Sequence, residues 1–163
     1  MAVDASGNVV VAGFFTGTVD FGGGALISAG SNDIFVAKYS AVGTHLWSKR
    51  LGSTSSDVGY SVAVDGNGDV VMTGGFSGTV DFGGGPFSTY AGTFDIFVAK
   101  YAGGDGSHLW SKRFGGTNND NGYGIVADSG KVVVTGKFEG TVNFGGGAKI
   151  SAVLSDIFLL GRT

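Results

Sequence analysis

The residues of this chain best suited to chemistry are a set of aspartates, two histidines and two tryptophans. Asp65-Gly-Asn-Gly-Asp69 puts carboxylates and an amide at alternate positions, as the opening of an oxygen-rich calcium loop does. Asp65, Asn67 and Asp69 are therefore candidate metal ligands. The pattern is incomplete, because no glycine follows Asp69 and no glutamate stands at the twelfth position. The corresponding segments Asp4-Ala-Ser-Gly-Asn8 and Asp128-Ser-Gly-Lys131 also lose ligands. A plain hairpin turn explains the same residues, with aspartate bonding the backbone and glycine supplying positive φ, so no metal or cofactor is expected.

His45 and His108 each stand beside Leu and Trp in the same local sequence, with no cysteine or acidic residue adjacent. That context favours a structural imidazole over a metal ligand or general base. Trp47 and Trp110 offer flat apolar faces suited to the C–H side of a sugar ring, but tryptophan more often seals packed elements together. Asp20, Asp57, Asp81 and Asp120 lie in glycine- and hydroxyl-rich links, where binding residues concentrate; Asp57 and Asp120 can equally bond the backbone of their own turns. The Gly-Gly-Gly triplets precede no helix and carry no Lys-Ser/Thr, so they are not phosphate loops. Serine, histidine and aspartate are all present, yet each candidate recurs along the chain, whereas a catalytic triad is unique; no enzymatic activity is expected.

The elements that must position these residues come from a repeat. FTGTVDFGGG at Phe15 returns as FSGTVDFGGG at Phe76 and as FEGTVNFGGG at Phe138, offsets of 61 and 62 residues. NDIFVAKY at Asn32 returns as FDIFVAKY at Phe94 and as SDIFLLGR at Ser155, and HLWSKRLG at His45 returns as HLWSKRFG at His108. The copies are residues 1–58, 59–121 and 122–163, about 2.6 units of roughly 62 residues. Each holds four strand-like runs, A to D, punctuated by Gly, Asn, Asp and Ser. In the central copy these are Tyr60 to Val64, Val70 to Gly74, Asp95 to Tyr101 and His108 to Phe114. The A–B and C–D links are short enough for antiparallel hairpins. Strand B is almost continuously apolar, as for a central strand covered on both faces. The long B–C link, TVDFGGGALIS, reads as a protruding hairpin with Phe21 near Leu26.

Hydrophobic residues make up 42% of the 163 and charged residues 14%, so the chain folds rather than staying disordered. There are 33 glycines but one proline and no triplet period, which excludes collagen. A net charge of −3 with ten Lys plus Arg gives no footprint for nucleic acid or an anionic membrane. No apolar run approaches the length of a membrane span, and neither an inserted segment nor a signal peptide is read here.

A four-stranded sheet apolar on both faces must be covered by neighbouring copies. Stacking such sheets around an axis gives a β-propeller, with a β-solenoid as the alternative. The pattern GYSVAVDGNGDVVMTGGFSGTVDF, then DIFVAKY, then HLWSKRFGGT resembles the bacterial SBBP repeat, the seven-bladed β-propeller repeat, over essentially the whole chain. The resemblance implies tandem blades in secreted or cell-surface bacterial proteins and no established chemistry. Propellers close with about four to eight blades, so the expected partner is the chain itself, a homodimer or homotrimer completing one ring. The expected function is a non-enzymatic scaffold presenting the B–C and D–A loop face, with Asp20, Asp57, Asp81 and Asp120 on it, to a protein or glycan. The alternative is a multivalent lectin with sugar sites at blade junctions near Trp47 and Trp110.

Overall fold

A computed structural model describes residues 1–90, 92–128, 130–152 and 154–162; Ser129, in the third A–B turn, lies outside them. The fold is all-β. The first copy holds β1 (Ala2–Val3), β2 (Val9–Phe15), β3 (Thr18–Asp20), β4 (Ala25–Ile27), β5 (Asp33–Tyr39) and β6 (His45–Leu51). The second holds β7 (Val58–Val64), β8 (Val70–Phe76), β9 (Thr79–Asp81), β10 (Pro86–Ser88), β11 (Asp95–Tyr101) and β12 (His108–Phe114). The third holds β13 (Asn121–Asp128), β14 (Lys131–Phe138), β15 (Thr141–Asn143), β16 (Ala148–Ile150) and β17 (Asp156–Arg162).

The long strands form three antiparallel sheets in simple up-and-down order: β1-β2-β5-β6, β7-β8-β11-β12 and β13-β14-β17. Strand A of the second copy begins two residues before the expected Tyr60, so the repeat boundary falls inside β7. Strand B runs on to Phe76, every residue of it buried, as expected for a centre strand covered on both sides.

Successive sheets pack face to face. Val10, Ile34, Val36, Trp47 and Leu51 of the first meet Val62, Met72, Phe76, Phe97 and Tyr101 of the second. Val71, Ile96, Val98 and Phe114 on the second sheet's other face meet Ile125, Val134, Phe138 and Phe158 of the third. The strands of type A approach directly. A β-bulge in each throws Tyr60 and Tyr123 outward, where their rings meet edge to face at 5.2 Å. Next to them the Ile125 amide donates to Ser61 Oγ at 3.3 Å.

The B–C link does form a hairpin, β3–β4, β9–β10 and β15–β16 in turn. It does not project outward. Its phenylalanine, Phe21, Phe82 or Phe144, stacks on the strand-C phenylalanine, Phe35, Phe97 or Phe158, at centroid distances of 4.4, 4.6 and 4.7 Å. The stacking partner of Phe21 is thus Phe35 on the sheet. A third ring from the end of strand B, Phe15, Phe76 or Phe138, meets it edge-on. The cluster fits because strand B carries glycine beneath the strand-C ring: a Cβ on Gly13, Gly74 or Gly136 would fall 2.8 to 2.9 Å from that ring's Cε1.

Gly13→Ala, whose Cβ would meet the Phe35 ring before any other group, therefore forces overpacking, with an expected loss of about 1–3 kcal/mol in urea unfolding. Gly104→Ala, whose Cβ would meet nothing within 4 Å, is expected to stay within about 0.5 kcal/mol of the parent. Equal midpoints for the two variants would contradict this packing.

Candidate functional site

Two kinds of charged cluster recur at the junctions between sheets. At one end of the sheets, the D–A link brings Asp57 against Asp33, the first residue of β5; both are fully buried. Asp57 accepts the Ser53 and Ser77 amides at 2.6 and 3.0 Å, and its own amide donates to Asn32 O at 2.8 Å. Asp33 pairs with Arg50 of the neighbouring strand and accepts the Ala29 amide. The next junction repeats the arrangement. Asp120 accepts the Gly116 and Glu139 amides at 3.0 and 2.9 Å, and Asp95 pairs with Arg113. Burial pushes the Asp57, Asp95 and Asp120 carboxyls upward. Asp120, close to the charges of Asp95 and Glu139, is pushed up to about 6 despite its two amide donors.

At the opposite end, the A–B turns carry lysine-filled carboxylate loops. Asp65 Oδ1 accepts the Asn67 and Asp69 amides at 2.9 and 3.1 Å, closing the turn. Lys100 Nζ lies 2.7 Å from Asp65 and 3.0 Å from Asp69. The carboxylates a calcium ion would need are held by an ammonium group, and Asn67 contributes its backbone amide. Burial alone would raise the Asp65 carboxyl, but Lys100 and the turn amides hold it below its ordinary value. The first copy repeats the pairing with Lys38 and Asp4, 2.9 Å apart; there Lys38, Asn8 and Ser6 outweigh burial and hold Asp4 at about 2.

Asp20 and Asp81 are not on the same face as Asp57 and Asp120, because each B–C hairpin folds back along its sheet. The tip glycines Gly22 and Gly83 lie against His45 and His108, which open the last strand at the far end. The hydroxyls of Tyr39 and Tyr101 donate to Phe21 O and Phe82 O, fastening the tip down. Asp20 accepts the Gly22 and Gly24 amides, and Asp81 those of Gly83 and Gly85, so each closes its own tight turn. The imidazoles are occupied as well. His45 Nε2 lies 3.0 Å from Ser48 Oγ and His108 Nε2 lies 3.1 Å from Ser111 Oγ, and each ring meets a tyrosine edge-on.

The tryptophans differ. Trp47 is buried between the first and second sheets and donates from Nε1 to Gly103 O at 3.2 Å. Trp110 lines a cavity of about 250 Å³ with Asp65, Lys100, Lys112 and Lys131.

Sequence reasoning singled out Asp57 and Asp120 but not their neighbours Asp33 and Asp95, nor Lys38 and Lys100. The signal was in the repeat: an aspartate opens each DIFVAKY, a lysine stands near its end, and HLWSKR returns an arginine alongside. Opposite charges at fixed positions of adjoining strands are cross-strand partners. Among the described residues, no group of three or more histidines, cysteines or carboxylates is placed to hold a metal.

Fold and site together define an all-β tandem-repeat protein most of whose chemically capable side chains are held in internal hydrogen bonds and ion pairs. No family model matches the chain. Regulatory protein FlaEY of Caulobacter vibrioides is 31% identical over 116 residues, 69% of this chain and 12% of that protein. An uncharacterized WD repeat-containing protein of Acanthamoeba polyphaga mimivirus is 28% identical over 95 residues, 47% of this chain and 7% of that protein. The chain thus spans only 12% and 7% of the lengths of these curated relatives.

The raised Asp120 carboxyl sets a pH dependence. Its stabilising contribution is fully present below its unfolded value of 3.8 and is lost as pH rises through about 6. Between pH 4 and 7 the parent should thus lose stability relative to Asp120→Asn as pH rises. Parallel stability curves for the two would refute the assignment. Asp4, held at about 2, acts in the opposite sense and only below pH 4.

Proposed function

We propose that the chain is a segment of a β-propeller, a non-enzymatic scaffold that presents loops to a protein or glycan partner and completes its ring with further copies of itself. The observation that carries this reading is the exposure of identical positions at the two ends of the stack. Ile34 and Val36 of the first copy, and Ile96 and Val98 of the second, are 0 to 3% exposed beneath the next sheet. Their counterparts Ile157 and Leu159 are 87% and 77% exposed. At the other end Phe15, Phe21 and Phe35 are half-buried, whereas Phe76, Phe82 and Phe97 are fully buried. The face of β14–β17 has the same positions as the face that β2–β5 presents to the second sheet, and the face of β2–β5 bearing Phe35 matches its cover. A second copy is the surface that fits each end, in a head-to-tail contact that closes into a ring.

The printed name of the mimiviral relative, a WD repeat-containing protein, agrees with a propeller architecture. The resemblance to SBBP repeats supports a secreted or cell-surface setting. The scaffold reading also accords with the use of the junction aspartates, histidines and A–B turn carboxylates in internal bonds.

Sedimentation or light scattering should find a discrete dimer or trimer, and the double variant Ile157→Asp, Leu159→Asp should run as a folded monomer. A parent that stays monomeric at tens of micromolar would sink ring completion by this chain. The lectin reading is favoured only by the open indole of Trp110. Glycan-array binding that disappears in a folded Trp110→Ala variant would replace the scaffold reading with it.

A further inference from the structure

We propose that Tyr60 and Tyr123 form an oxidative modification site: a one-electron oxidant of the haem peroxidase and hydrogen peroxide class couples the two rings into a dityrosine that fastens the second copy to the third. The local sequence builds the pair. Each tyrosine follows a glycine, and at that glycine strand A presses on the sheet before it. A Cβ on Gly59 would fall 3.0 Å from Gly13 O and 3.1 Å from Ile34 Cγ2, and one on Gly122 would fall 2.2 Å from Thr73 Oγ1. In both strands the ladder skips the residue after the glycine, which turns outward as the bulged position. Two adjoining strands that do this at the same place bring their tyrosines together.

The way they meet suits coupling. The ring centroids are 5.2 Å apart and the planes are inclined at 69°, so a small rotation about the side-chain bonds brings the carbons next to the two hydroxyls into contact. Neither hydroxyl has a hydrogen-bond partner among the described residues. Those of Tyr39 and Tyr101, by contrast, are committed to Phe21 O and Phe82 O. Lys137, paired with Glu139 at 3.1 Å, lies near enough for its charge to act on both phenols. Burial and the neighbouring Tyr123 raise the Tyr60 phenol, and the Lys137 charge works against both, easing loss of the proton as the electron leaves.

The reaction balances without a further reagent. Each phenol gives up one electron and one proton and becomes a phenoxyl radical with spin on its Cε carbons. The radicals join through a Cε–Cε bond, and the hydrogen on each bonded Cε moves to that ring's oxygen, restoring both phenols. Hydrogen peroxide takes the two electrons and two protons and leaves as two waters. Because the rings are already adjacent, their coupling outpaces encounters between chains. The new bond ties residues 63 positions apart, and a tie across so long a loop restricts the unfolded chain. The proposal needs the second and third sheets to pack as they do, and it does not require ring completion.

The test treats dilute chain with a haem peroxidase and one equivalent of hydrogen peroxide. The expected product is a single chain lighter by two hydrogens, with dityrosine fluorescence and a raised denaturation midpoint. Digestion should yield one cross-linked peptide joining the segments that carry Tyr60 and Tyr123. The fluorescence should fall at least tenfold in Tyr60→Phe and in Tyr123→Phe, and persist in Tyr90→Phe, which removes the exposed tyrosine of the second B–C link. Should either phenylalanine variant disturb the fold, the parent treated in urea makes the same comparison, because unfolding should abolish the preference for this pair. Oxidation of the exposed Met1 with no loss of two hydrogens overturns the proposal. So does a cross-link that maps to Tyr90, runs between chains, or survives in Tyr60→Phe. Failure of ring completion would appear separately, as a monomer mass with the cross-link intact.

Discussion

The stack of phenylalanine on phenylalanine over a strand that lacks a side chain is the contact on which the rest of this fold depends. Offset aromatic pairs contribute about 0.5–1.5 kcal/mol beyond their buried area, but here their larger effect is positional. Seating Phe82 on Phe97 pins the B–C hairpin to its own sheet, and the pinned hairpin becomes part of the face that the preceding sheet covers. Without the ring the Thr79–Ser88 hairpin would be a two-stranded ribbon with three residues a side, too small to persist alone. The glycine beneath the ring and the tyrosine hydroxyl at the tip serve the same end.

The buried charges do a different kind of work. Removing an aspartate from water costs several kcal/mol, and its arginine partner, about a third exposed, offsets only part of that. What Asp33–Arg50 and Asp57 provide is registration. Each carboxylate binds backbone amides of a particular loop, so the D–A link of one copy and the strand entry of another have one way to meet. The apolar faces between Ile34, Val36 and their cover would tolerate sliding, whereas the Asp57 amide bonded to Asn32 O at one end and Lys38 Nζ bonded to Gly103 O at the other do not.

The strands were legible because alternation of glycine clusters and β-branched runs recurs from copy to copy, so strands A to C were each checked against two counterparts and strand D against one. The hairpin within TVDFGGGALIS was legible from its glycine triplet, but not its direction. Nothing in the local sequence distinguishes a hairpin that projects from one that folds back, since the deciding contacts, Phe21 with Phe35 and Tyr39 with the hairpin tip, span 14 and 18 residues. That missing direction led Asp20 and Asp81 to be grouped with Asp57 and Asp120. The turn reading of Asp65 to Asp69 was available from spacing alone. The identity of the cation that fills the loop, Lys100, required knowing that strand C ends beside it.

The folded-back hairpin has a geometric consequence for the array. It occupies the space between sheets over strands C and D, while the strands of type A touch directly through Tyr60, Tyr123 and Ser61. Each of the two interfaces is consequently filled by the hairpin ring along strands C and D and closed directly along strand A. The bulk of a single aromatic ring thus sets how far apart the sheets stand on the strand-C side: a smaller side chain at position 82 would let the first two sheets draw together there.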